Sequence, residues 1–168
     1  MSAILRDNYL IDDVQSVFLA LFNQYASDTT PFTRWDIVRG FPNSSIFDEK
    51  GTALIYITKP LIVEIQKVQG QNKPNYVLDL SFGIWVDSKE GGEEEQAIMI
   101  SQLTAKFATP NTIYKKTFNV TLGAVTSSNK TLLNCGIKIL GITGSRTIET
   151  TNPYNEFRSI IDIRIKTF

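Results

Sequence analysis

The spacing of apolar positions changes period along the chain, and those changes divide it into elements. Over residues 10–25, Leu10, Ile11, Val14, Val17, Phe18, Leu21, Phe22 and Tyr25 recur at steps of three and four, which places them on one broad face of a helix. Asp7 or Asn8 stands where the cap belongs, and Asp12, Asp13, Gln15 and Asn23 fall outside the stripe. The polar run 27–31 ends this helix. Residues 32–39 read as a short strand with Trp35 and Ile37 on one side. Gly40-Phe41-Pro42 closes it, because glycine permits positive φ and proline fixes the turn that follows.

After a polar loop at 43–51 the period shortens to two. Residues 53–58 and 61–68 are β-branched and apolar at nearly every second position, and this stretch reads as the centre of a sheet. Pro60 between them cannot donate to a ladder and marks a bend, a bulge or an edge. Beyond the turn 70–74, Tyr76, Leu78, Leu80, Phe82 and Ile84 share one strand face, opposite Val77, Asp79, Ser81, Gly83 and Trp85. The lengths suit a long hairpin between 61–69 and 75–86. Residues 87–92 form a turn, and Glu93-Glu94-Glu95 open a second helix at the positive end of its dipole, with Lys106 near the other end. Ile98, Met99, Leu103 and Phe107 give it a narrower apolar stripe. The alternation of Tyr114, Phe118, Val120 and Leu122 predicts a strand over 112–122, with a turn at 126–129 and another strand over 132–142. Residues 141–155 read as a polar loop, long for an inert connection. The last strand, 157–167, sets Ile161, Ile163 and Ile165 against Asp162, Arg164 and Lys166. The expected fold is a single α+β domain over 1–168, a mixed and mostly antiparallel β-sheet flanked by two main α-helices.

Composition narrows the function more than the fold. Lys plus Arg and Asp plus Glu are 17 each, a balance that argues against a dedicated nucleic-acid binder, whose affinity needs many uncompensated cations. Acidic groups concentrate in 87–95 and basic ones in 106–168, so the chain is weakly dipolar. The single cysteine, Cys135, permits no intrachain disulfide. Without an apolar leader or an 18-residue apolar run, the expectation is a soluble protein made in the cytoplasm and no membrane partner. The glycosylation sequons at Asn43, Asn119 and Asn129 are then coincidental.

Catalytic parts are missing. There is no histidine, the commonest general base and metal ligand. Cys135 sits in an apolar run and reads as a buried thiol, not a nucleophile. Residues 141–146 resemble a phosphate loop but lack its closing lysine and any helix after it. Glu93, Glu94 and Glu95 are consecutive on a helix and diverge, so they cannot converge on a cation. Trp35 and Trp85, flanked by apolar strand residues, read as core. No enzyme, cofactor or metal is expected.

The order of elements resembles the tail terminator proteins of tailed bacteriophages. The resemblance is carried by the helix 8–25, the turn Gly40-Phe41-Pro42, the strands 54–57, 61–65 and 76–85, and the helix 93–107. It implies a self-assembling hexameric ring at the head-proximal end of a phage tail. Such a ring ends tail-tube polymerisation and meets the head–tail connector at the neck, together with the sheath protein if the tail is contractile. It implies a virion protein through which DNA passes without sequence-specific binding, consistent with the zero net charge. A closed ring needs one patch to meet a different patch on its neighbour. The polar loops 43–51, 87–92 and 144–155 are the expected contacts, with Ile46, Phe47, Asp48, Glu49, Asp87, Lys89, Glu90, Arg146 and Tyr154 as interface candidates. The rivals are another neck or tail component, such as a head–tail joining protein or the tube subunit, and a small-ligand-binding α+β domain with its pocket between the first helix and the sheet.

Overall fold

A computed structural model describes residues 4–42, 53–87, 91–148 and 157–168, all but the side chain of Ile148. After a 3-10 turn at Asp7–Tyr9, helix α1 spans Leu10–Asp28, followed by a second 3-10 turn at Phe32–Arg34 and strand β1 at Asp36–Arg39. Strands β2 (Ala53–Ile57), β3 (Leu61–Gln66) and β4 (Asn75–Val86) come next. Helix α2 (Gly92–Ala108) and the short helix α3 (Asn111–Lys115) lead to a hairpin of β5 (Phe118–Leu122) and β6 (Val125–Lys130). Two long strands, β7 (Ile137–Ile148) and β8 (Phe157–Thr167), complete the chain. The fold is α+β, and among the described residues the main sheet has six strands, mostly antiparallel, with β1 and β2 as its only parallel pair.

The centre of the sheet is β4, not the 53–68 stretch. One side of β4 pairs with β8 along almost its whole length. On the other side β2 pairs with Phe82–Val86 and β3 with Asn75–Asp79, so the two run end to end as one strand broken at Pro60. The hairpin of β3 and β4 is as expected. β7 lies outside β8 and carries bulges at Leu140 and Thr143, which absorb residues that would otherwise break the register.

The helices cover one face. Phe22 of α1 meets Tyr25, Phe32, Phe82 and Phe107 at ring-centroid distances of 5.7, 6.0, 5.0 and 6.0 Å. Leu78, Leu80, Ile84, Ile161, Ile163 and Ile165 complete the core from the sheet, and Met99, Leu103 and Phe107 from α2. The pocket expected by the ligand-binding rival is therefore filled by rings.

Two polar residues of α1 depart from their expected place outside the stripe. Asp13 is fully buried and accepts three bonds from Arg6, from its backbone N–H at 2.8 Å, Nε at 3.1 Å and Nη2 at 2.7 Å. Arg6 in turn lies against Gly123, where a Cβ would sit 2.4 Å from Nη1, so the β5–β6 turn docks on this pair. Gln15 is buried too, donating to the Ile57 carbonyl at 2.8 Å. Asp13→Ala should cost about 2 kcal/mol, because it removes charge-assisted bonds and strands the Arg6 N–H. Urea unfolding checks this, and a wild-type midpoint would contradict it.

Five other expectations are corrected. Residues 32–34 and 111–115 are helical turns, so Tyr114 belongs to α3; Pro110 precedes that turn, a place proline tolerates. Residues 126–129 lie in strand β6, and the turn is at 123–124. Residues 132–136 form a turn, and β7 occupies much of the supposed 141–155 loop.

Candidate functional site

Among the described residues no helix covers the second face of the sheet. At one end Leu54, Tyr56 and Trp85 form a small buried cluster with Val38 at its margin. Phe41, which is exposed, stacks at 5.4 Å from Tyr56, and the Arg158 guanidinium lies 3.8 Å above the Trp85 ring. Farther along, the face is polar: Arg164 grips the Asp79 carboxylate through two nitrogens at 2.7 and 3.0 Å, and Arg146 meets Asp162 at 3.0 Å.

That cluster marks one end of the sheet. Ala53 pairs with Val86, Val86 with Phe157, and Ile148 with Arg158. Ala53, where the chain returns from 43–52, and the described flanks of 88–90 and 149–156 are thus neighbours at this end, whereas the chain sets out toward 43–52 after Arg39, which pairs with Ile57 at the far end of β2. Ile46, Phe47, Asp48, Glu49, Lys89, Glu90 and Tyr154 lie outside the described residues. The two described candidates sit at this end as well: Asp87 directly follows β4, and Arg146 is near the end of β7 with its side chain largely exposed.

The sequence reading missed a second surface. β3 pairs only with β4, and among the described residues nothing lies along its outer edge. Leu61 is 65%, Val63 40% and Ile65 58% exposed, although the same residues read as core from their periodicity. A bulge between Ile62 and Glu64 sends Leu61 and Ile65 to opposite faces. Pro60 was the signal for an edge.

Chemistry is sparse. Among the described residues no group of three or more His, Cys, Asp or Glu side chains could hold a metal, and no helix is long and apolar enough to cross a membrane. Glu95 is engaged, accepting from the Trp35 indole and pairing with Arg34 at 3.1 Å. Cys135 is buried, and burial pushes its thiol up to about 11. At pH 8 a thiol reagent should therefore label it only at the rate of unfolding; rapid labelling of the native protein would contradict this. A cleft of about 710 Å³ lies outside the core between the N-terminal segment and the β5–β6 hairpin, with Ile4, Leu122 and Val125 in its apolar wall.

No family model matches the chain, and no curated protein matches it. It is similar to a solved chain from the virion of a native gene transfer agent particle, at 9% identity and a TM-score of 0.49, covering 92% of this chain and 96% of that one. A second solved chain, which bears no functional name, is similar at 9% identity and a TM-score of 0.48, with 94% of each chain covered.

Proposed function

We propose that this chain is a structural virion protein that closes into a ring at the head-proximal end of a phage tail, where it stops tube polymerisation and presents the neck interface. The observation that carries the reading is the outer edge of β3, along which no described residue pairs and where Leu61, Val63 and Ile65 are exposed. Monomeric proteins blunt such an edge or cover it, since it templates pairing with another chain. Here a proline and a bulge shape the strand, yet its apolar side chains still face water. The end of the sheet where Val86, Phe157 and Ile148 adjoin, with Asp87 and Arg146 beside them, supplies a second and different surface. Two unlike surfaces are what a closed ring requires, because its contacts are heterologous. The role is argued from this chain's own edges and from the order of its elements.

Native mass spectrometry of the purified protein, with electron microscopy of the same sample, tests assembly. The reading expects a single closed ring, six-fold under the microscope. Filaments of open length would instead identify a tube subunit, and a strict monomer at all concentrations would overturn the ring.

A further inference from the structure

The two outer edges of the sheet differ in how their backbone is satisfied. On β7 the first part of the outer edge is already capped. The Ile137 N–H donates to the Leu132 carbonyl at 3.0 Å, and the Ile139 N–H donates to the Tyr114 hydroxyl at 2.7 Å. Past the bulges no such cap is present among the described residues, and Thr143, Ser145, Arg146 and Thr147 are exposed. The uncapped length of β7 therefore begins near Ile142. On the opposite side of the sheet the uncovered length is β3, Leu61–Gln66, because the place beside β2 is taken by β1. Each open stretch is about six residues long.

We infer that the ring contact is a strand pairing in which the open half of β7 from one copy lies along β3 of the next. The inference deepens the ring reading and rests on it. Strand directions agree. β3 and β8 both run opposite to β4, and β7 runs opposite to β8. A rotation about an axis near the strand direction preserves those senses, so β7 meets the neighbour's β3 antiparallel, the ladder with the more stable pairing. Charge agrees as well. Glu64 is the only charged residue of β3, and Arg146 is the only one in the open half of β7.

Ring closure agrees with the offset. Following the paired rows, Glu64 is level with Val77, Lys166 and Lys138. Ser145 is level with Ile161, five rows along β8 from Lys166, the two bulges absorbing the other residues of β7. Pairing β3 with residues near Ser145 therefore shifts each copy along the strands by roughly 17 Å, at about 3.3 Å per row. Crossing from β3 through β4 and β8 to β7 and on to the next β3 takes four steps of about 4.8 Å, or roughly 19 Å. The two distances define a strand tilt of about 40° to the ring axis, within the ~35–45° at which closed sheets tilt. An unshifted ring would press β3 against the capped half of β7 and would leave β1 in the way.

Cysteine pairs test the contact in the Cys135→Ser background, which removes the native thiol. Val63→Cys is combined in turn with Thr143→Cys, Ser145→Cys or Thr147→Cys, all at exposed positions, and the protein is oxidised mildly. At least one double variant should give a ladder of covalent multimers that ends at the ring size, while each single variant gives none. Dimers from Val63→Cys alone would mean that β3 meets β3, which overturns the pairing. Rings that form normally while no double variant crosslinks would overturn the pairing and leave the ring reading intact. Monomers throughout would overturn both.

Discussion

Phe22→Ala should lower the unfolding free energy by about 4 kcal/mol, the largest loss expected from any single truncation in this chain. The ring is fully buried and touches four others, from the end of its own helix, the 3-10 turn after it, the central strand and α2. Removing it deletes apolar burial and leaves a cavity that four rigid rings cannot collapse into, and buried Phe→Ala changes cost ~3–5 kcal/mol. Urea or thermal unfolding monitored by circular dichroism measures the loss. Phe22→Leu, which keeps most of the volume, should recover more than half of it. A truncation cost below about 1 kcal/mol would mean that α1 does not anchor the sheet as described.

Gly83→Val is the second. Gly83 faces Tyr56 across the β2–β4 pair, and the tyrosine ring lies directly over it: an added Cβ would sit 1.9 Å from Cζ. The ring is itself buried beside Leu54 and Trp85, so it can make room only by leaving the cluster. Loss of that burial together with overpacking should cost about 3 kcal/mol. The cause is separable from any general intolerance of the strand. In a Tyr56→Ala background the same substitution should cost less than half as much, a coupling that a double-mutant cycle reads directly. Equal costs in both backgrounds would show that the contact does not decide the residue at 83. The substitution also bears on assembly, since this cluster stands at the end of the sheet where Asp87 follows β4.

Elements whose burial is one-sided were legible. The three- and four-residue spacing of α1, the stripe of α2 and the alternation in β4 and β8 each follow from one face against a core, and all four are found close to where they were expected. Where both faces of a strand meet water, the alternation has no cause. β6 is polar nearly throughout for that reason, and β7 combines polar residues with bulges that break the period. The sequence pattern alone reads 126–129 of β6 as a turn and the second half of β7, from 141, as a loop, while the first half falls in the strand expected over 132–142. Asp13 was misplaced for a different reason: its burial depends on Arg6, and helical periodicity does not encode a partner outside the helix. Its position one turn before Val17 was the available signal. β3 shows the reverse error, since apolar alternation was taken for burial when it marked an uncovered edge. The loop candidates came from length and polarity. The structure adds that Ala53, Val86, Ile148 and Phe157, at flanks of these segments, adjoin at one end of the sheet.

The central claim is that this protein ends a polymer. Purified tube subunits should be assembled with increasing amounts of it, and the lengths of the tubes measured by electron microscopy. The account predicts that growth stops, with density added at one end of each tube and mean length falling as the protein is raised. Tubes of unchanged length, or the protein incorporated along their whole length, would contradict it.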